Sequence, residues 1–324
     1  MEHNDHPLRS PYQAAREKTA LLNTSDRFRL YMRGADHLDF LHRMTSNSLS
    51  DLPIGSGIET VFLDNRARIL DLATCYRGSD STALILSPAS RASIPNWLDR
   101  YIFAEAIELE DRTDETAMLE LIGPDTTHLV AQVLDEDLSS FQNHQLICPQ
   151  ATEDLWLART TWAKAPALRA FGPPESINAL WQRFDAQGAV SIDAATWEIL
   201  RIEEGIPQLG RELTETYNPW EAGLKHAIHI NKGCYIGQEV IARLDTYDKV
   251  KQHLVGLQLT ESDLPEPGQR LYDGKRELGS ITSAVYSPLQ GPIALAYVRR
   301  EASAAGTKLD LAGIQATVVP LPFI

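Results

Sequence analysis

The side chains best placed to do chemistry lie in one short stretch, Lys232-Gly233-Cys234-Tyr235-Ile236-Gly237-Gln238-Glu239. A thiol reacts as its thiolate. Lys232 sets a cation two residues from Cys234, which favours thiolate over a thiol whose free pKa is about 8.5. Gly233 and Gly237 bracket the cysteine and can take positive φ, where other residues are strained. Gln238 and Glu239 add an amide and a carboxylate just beyond the second glycine. Two readings of Cys234 stand at this point. One is a charge-poised thiol in a built loop. The other is an ordinary turn around a buried, inert cysteine, since free cysteine is among the most buried residue types.

Two further residues invite chemistry. Asp71 interrupts the apolar strand Arg68-Ile69-Leu70-Asp71-Leu72-Ala73-Thr74. Alternation puts it on the face of Ile69 and Ala73, where an unpaired carboxylate is expensive to bury. It is either a paired or functional acid, or an acid on the solvated face of an edge strand. Trp197 to Glu204 reads as a helix with Trp197, Leu200 and Glu204 on one face, closed by Gly205 and Pro207. Within it, Arg201 either makes an i,i+3 surface pair with Glu198, worth about 0.2–0.5 kcal/mol, or offers its planar donor fork to an anionic or heteroaromatic ligand.

The elements that must position these residues follow a recurring order. Phe28 to Met32 reads as a strand, followed by Gly34, Asp36 as an N-cap, and a helix through Leu38, Phe40 and Leu41. Ala117 to Ile122, Gly123-Pro124-Asp125 and a helix through Leu129, Val130 and Val133 repeat it. Ala167 to Phe171, Gly172-Pro173-Pro174-Glu175 and a helix through Ile177, Leu180 and Trp181 repeat it again. The unequal spacing is not that of a solenoid. Ser10 to Leu22 reads as a helix, Thr60–Leu63, Arg68–Thr74 and Ala83–Ser87 as strands, and 89–100 as a helix. Adjacent strands with irregularly interspersed helices predict an α+β fold with largely antiparallel sheets. From Gln252 onward, short strands with Pro-Gly and Asp-Gly turns predict a small β-barrel or sandwich, so a domain boundary is placed near residue 250.

Bulk properties exclude several functions. The chain has 324 residues, 43% hydrophobic and 23% charged, a globular composition. A formal net charge of −14 is poorly suited to sequence-independent binding along nucleic acid. No run approaches the roughly 18 apolar residues of a membrane span, and the polar start, Met1 to His6, does not read as a secretory signal. The three cysteines, Cys75, Cys148 and Cys234, form no CxxC pair and no disulfide framework, which fits a reducing cytoplasm. They are too few for a four-thiolate iron–sulfur cluster. His226 and His229 lie next to no third ligand and are read as non-metal. Neither a GxGxxG nor a GxxxxGK[ST] turn occurs.

Taken together, four stretches resemble the YgfZ family of folate-binding proteins, in the superfamily of the glycine-cleavage aminomethyltransferase (T-protein) and dimethylglycine dehydrogenase. Lys232 to Glu239 looks like the hallmark K-G-C-[YF]-x-G-Q-E. Arg201-Ile202-Glu203-Glu204-Gly205-Ile206-Pro207 looks like R-[IV]-E-x-G-I-P. Pro219-Trp220-Glu221-Ala222-Gly223-Leu224 is similar to a run shared with the aminomethyltransferases, and Leu278 to Ala284 resembles G-x-[IV]-T-S.

The resemblance implies three subdomains around a central hole that binds tetrahydrofolate or a one-carbon derivative. Residues 1–250 would form two intertwined α+β subdomains, and 251–324 a C-terminal barrel. It implies support for assembling or repairing iron–sulfur clusters, with client or assembly proteins as partners. The family's lysine and cysteine carry over to Lys232 and Cys234. Arg201 and Glu203 are the best matches for folate-site residues, joined by Tyr235, Gln238 and Glu239. Where aminomethyltransferases carry a paired Asp-Asp, this chain has Asp71-Leu72, which puts ordinary aminomethyl transfer in doubt. Three functions remain in competition. They are the accessory factor acting through Cys234, a folate-dependent one-carbon transferase using Asp71 as acid/base, and a scaffold whose folate site has decayed.

Overall fold

The computed structural model describes residues 9–147, 155–260 and 263–324. Cys148 lies outside them. The chain begins α1 (Arg9–Glu17), β1 (Ala20–Asn23), β2 (Phe28–Arg33), α2 (His37–Met44), β3 (Gly57–Leu63), β4 (Ile69–Arg77), β5 (Ser81–Leu86) and α3 (Ser93–Asp99). It continues β6 (Glu108–Asp111), β7 (Ala117–Ile122), α4 (Thr126–Leu134), β8 (Leu146–Ile147), β9 (Trp156–Trp162), β10 (Ala165–Gly172), α5 (Pro174–Ala186) and β11 (Val190–Ile192). It ends with α6 (Ala194–Glu203), α7 (Gln238–Thr246), β12 (Gln252–Leu259), β13 (Arg270–Asp273), β14 (Arg276–Ser287), β15 (Gly291–Arg299), β16 (Lys308–Leu311) and β17 (Ile314–Val319).

Two compact units result. One holds the described residues up to Leu41 with Leu49–Glu59 and Ala73–Thr196. Its six-stranded sheet has the order β11-β1-β7-β10-β9-β8, antiparallel except for the β1–β11 pair. Leu119, Leu121, Leu168 and Ala170 of that sheet pack against Leu129, Val130 and Val133 of α4 and Ile177, Leu180 and Phe184 of α5. A five-stranded sheet has the order β3-β4-β5-β2-β6.

All three expected strand–glycine–helix units form, as β2/α2, β7/α4 and β10/α5. In the first, Gly34 has φ 102°, and a β-carbon there would meet the Ala106 carbonyl oxygen at 1.9 Å, so no other residue fits. The Asp36 carboxylate accepts the Ala106 N–H at 2.8 Å, tying the glycine turn to the chain before β6. The expected helix over Ser10–Leu22 stops at Glu17. Leu21 and Leu22 instead pair with Leu121 and Glu120 of β7 and with Ser191 and Ile192 of β11, and two ladders outweigh local helix preference. The helix expected over 89–100 shortens to α3, preceded by a 3-10 turn at Pro88–Ser90.

The other unit holds His42–Ser48, Thr60–Leu72 and Trp197–Ile324. Within it the predicted barrel is closed, in the order β12-β15-β14-β13-β16-β17, with β17 pairing back onto β12. Closure leaves no strand edge open. Its interior is filled by Leu257, Leu271, Ile281, Ala294, Ala296, Val298, Leu309, Leu311, Ala316 and Val318. The β14–β15 register shifts between Ile281 and Ser283. Such a bulge re-aims the side chain that follows it, here that of Ser283. Among the described residues no helix is long and apolar enough to cross a membrane.

Candidate functional site

Cys234 is exposed, so the reading of a buried, inert thiol does not hold. Cys75 fits that description instead: it is buried in β4, and desolvation pushes its thiol up to about 12. The loop that presents Cys234 is pinned on both sides. Before it, the Lys232 ammonium donates to the carbonyls of His42, Thr45 and Asn47 at 2.5, 2.7 and 2.5 Å. After it, the Ile236 N–H donates to the Arg43 carbonyl at 3.2 Å. The amide of Gln238 returns to the Lys232 carbonyl at 3.3 Å. The loop therefore sits on the end of α2 and the residues that follow it, all within one unit.

Only one of the two bracketing glycines uses positive φ. Gly237 does, at 83°, as the residue before α7, and a β-carbon there would meet the Asp64 carbonyl oxygen at 2.9 Å. Gly233 does not; next to it a β-carbon would have only the His42 Nε2 at 3.7 Å. Lys232 also departs from its expected part. Its ammonium is directed into three carbonyls and lies 4.8 Å from the centre of the Tyr235 ring, a cation–π contact. Burial without a carboxylate partner pushes the amine down to about 7. Tyr235 is itself buried, its phenol pushed up to about 12 by desolvation. Its ring packs among Val61, Leu63, Ile69 and Ile241. Glu239 stands exposed on the first turn of α7.

Asp71 is fully buried, and β4 lies between β3 and β5, so the edge-strand reading fails. One carboxylate oxygen accepts the N–H of Leu72 at 2.8 Å. Ile69, on the same face of β4, packs in the core that contains Tyr235.

Arg201 is 1% exposed, which excludes a surface pair with Glu198. All five of its N–H donors end on protein acceptors. Nε and Nη2 hold the two oxygens of Glu198 at 2.7 and 2.6 Å, Nη1 reaches Glu212 and the Ile206 carbonyl at 3.2 Å each, and Nη2 also reaches the Ser283 hydroxyl at 2.8 Å. The fork expected to meet a ligand is thus closed on Glu198 and Glu212. Ser283 completes the network by donating to Glu212 at 2.6 Å, the contact its bulge makes possible. Glu203, also fully buried, accepts the Ser287 hydroxyl, and its carbonyl accepts the Phe323 N–H at 2.8 Å. Arg201 and Glu203 therefore fasten α6 to the barrel strands of their own unit. The structure brings together Lys232, Tyr235 and Gln238 in one cluster, and Arg201 with Glu198, Glu212 and Ser283 in another.

Residues 4–232 match the GCVT N-terminal domain, and residues 252–324 match the glycine cleavage T-protein C-terminal barrel domain. The chain belongs to the glycine cleavage T-protein family. An aminomethyltransferase of Chlorobium limicola is 31% identical over 329 residues, covering 97% of this chain and 90% of its own. A chloroplastic "putative transferase" of Arabidopsis thaliana is 32% identical over 298 residues, covering 90% of this chain and 68% of its own. The crystal structure of the glycine cleavage system aminomethyltransferase T from Bartonella henselae shares the fold, with a TM-score of 0.87 at 22% identity over 98% of this chain and 89% of that one.

Within this T-protein fold, sequence reasoning missed two buried acids. Glu212 is fully buried and, with Glu198, is one of the two carboxylates paired with Arg201. Glu221, in the Pro219–Leu224 stretch, is buried too; desolvation raises its carboxyl above the usual range while the Asn218 N–H, donated at 3.1 Å, opposes the shift. Each acid accepts one local N–H, from Gln208 and from Asn218, but for Glu212 the Ser283 hydroxyl comes from the barrel 71 residues away.

Proposed function

We propose that this T-protein family member is of the YgfZ type. It is a tetrahydrofolate-binding accessory protein that supports the assembly or repair of iron–sulfur clusters in client enzymes of a reducing cytoplasm. The observation that carries the reading is the exposed Cys234 thiol on a loop fixed at Lys232 and Ile236. A thiol held outward on an ordered loop suits exchange with a partner protein, and a buried one does not. In this reading Gln238 and Glu239, at the start of α7, supply polar groups toward the folate or its one-carbon derivative. Lys232, Tyr235, Arg201 and Glu203 hold the surrounding structure in shape. The reading divides the chain near residue 250, into a folate-binding region and the barrel.

Cys234→Ala is the direct test. In cells lacking the wild-type protein, the variant is expected to lose support of iron–sulfur enzyme activity while calorimetry still detects saturable tetrahydrofolate binding. Full complementation by the variant would remove the cysteine from the function.

A second reading, folate-dependent aminomethyl or one-carbon transfer, is favoured by one observation. Asp71 is a fully buried carboxylate in a central strand, an environment that suits an acid/base group. Incubation with tetrahydrofolate and an aminomethyl-lipoyl donor decides it: methylene-tetrahydrofolate formed by the wild type and lost in Asp71→Asn supports transfer, and no product above background rejects it.

A further inference from the structure

Phe103 is the most exposed large apolar side chain of the described residues, at 87%, and it lies in the connection from α3 to β6. The turn that carries it is built rather than slack. The N–H groups of Phe103 and Ala104 both donate to one carboxylate oxygen of Glu105, at 2.9 and 3.2 Å. The Ala106 N–H donates to Asp36, and the Ile107 N–H to the Glu105 carbonyl at 3.0 Å. The Tyr101 N–H closes the end of α3 on the Leu98 carbonyl at 2.9 Å. An ordered turn therefore holds a phenylalanine out in water. Tyr101 is exposed as well, and its ring meets that of Trp97 of α3 with 5.2 Å between centroids. Exposed apolar groups gathered in this way and rimmed by polar residues mark binding surfaces.

The charges around these rings select what covers them. Asp99, Glu105 and Glu108 flank them against one base, Arg100. The arginines of adjoining segments are already engaged by other carboxylates, Arg33 by Asp80 and Glu110, and Arg91 by Asp111 and Asp114. A second copy of this chain would set acid against acid at this face, and a phosphate backbone would be repelled. Carboxylates beside tyrosine and tryptophan rings instead suit lysine and arginine, through Coulomb attraction and cation–π contact. We propose that the Phe103 connection is a docking point for a partner protein that offers an apolar pocket to Phe103 and lysine or arginine side chains to the acids around it. An aromatic anchor inside a polar rim is the usual anatomy of a specific interface. This surface belongs to the unit that does not hold Cys234. The proposal therefore adds to the function proposed above and does not rest on it.

The test replaces Phe103 of the full-length protein, in living cells, with the photo-crosslinking residue p-benzoylphenylalanine. A discrete adduct with another protein is expected, joined at an apolar site whose neighbours are lysine or arginine. The same residue in place of the exposed Gln132 of α4 is the background control. Asp99→Lys combined with Glu108→Lys, both at exposed positions, is expected to lower the adduct about fivefold through like-charge repulsion, at an unchanged melting temperature. With the captured partner purified, Phe103→Ser is expected to weaken binding about tenfold or more, and added salt to weaken it further. An adduct that survives the charge reversal overturns the proposal. So does a crosslink to a second copy of this chain, to nucleic acid, or to a site flanked by acids. Absence of any adduct above the Gln132 background overturns it too, a result that needs no charge variant to fold. None of these outcomes touches the reading of Cys234, which complementation by Cys234→Ala tests separately.

Discussion

Lys232 and Arg201 are two buried cations of the same unit, each in a motif of the chain, and their surroundings are opposite. Arg201 faces two carboxylates, Glu198 and Glu212, and a hydroxyl. Lys232 faces three neutral carbonyls and an aromatic ring. Carboxylates return by Coulomb attraction much of what desolvation takes away, whereas carbonyl dipoles return less. Arg201 is therefore a carboxylate-paired cation that fastens α6 to the barrel, and burial among neutral groups pushes the Lys232 amine down to about 7. A cation paired with carboxylates suits a framework. One that binds only neutral backbone positions a loop without drawing an anion into it.

The contrast is broken most severely at Arg201. Arg201→Met leaves Glu212 fully buried with no cation, and breaking a buried pair from one side costs about 3–5 kcal/mol. Guanidinium unfolding monitored by fluorescence is expected to show that loss, and a change under about 1 kcal/mol would mean that Glu212 is readily rehydrated. At Lys232 the expected effect depends on pH. Between about 7 and the ordinary lysine value of 10.5, the unfolded chain holds the Lys232 proton and the folded chain does not. The unfolded state then binds more protons, so stability rises with pH across that window, by at most about 1.4 kcal/mol per unit. Below about 7 both states are protonated, and this group contributes no slope. Lys232→Met is expected to flatten the rise while leaving three buried carbonyls without their donor, at about 1–3 kcal/mol. Unfolding curves of both proteins at pH 7, 8 and 9 measure the two effects together. The smallest effect belongs to Glu198, whose side chain is 31% exposed. Glu198→Gln keeps one of the two acceptor oxygens and loses the charge and the other acceptor, so a loss of about 1 kcal/mol is expected from the same unfolding assay.

Local chemistry was legible where neighbours in the chain decide it. The three strand–glycine–helix units, the turn at Gly237 and the barrel strands after Gln252 follow from residues a few positions apart. Leu21 and Leu22 were misread as helix because the strands that claim them, β7 and β11, lie about 100 and 170 residues later in the chain. The burial of Asp71 was hidden for another reason: β3 and β5 are near in sequence, but only the folded sheet shows that they flank β4 on both sides.

By itself, the sequence determined which residues carry chemistry: a thiol between two glycines, a lysine two residues before it, an arginine near the end of a helix, an acid in an apolar strand. Tertiary structure alone decided what each of them faces. The acceptors of Lys232 precede it by 185 to 190 residues, and Ser283 follows Arg201 by 82. A charged side chain takes its character from whether carboxylate, carbonyl or water surrounds it, and those groups meet only when distant segments pack. That is why Lys232, which sequence proximity assigns to the thiol, belongs in the folded protein to the end of α2.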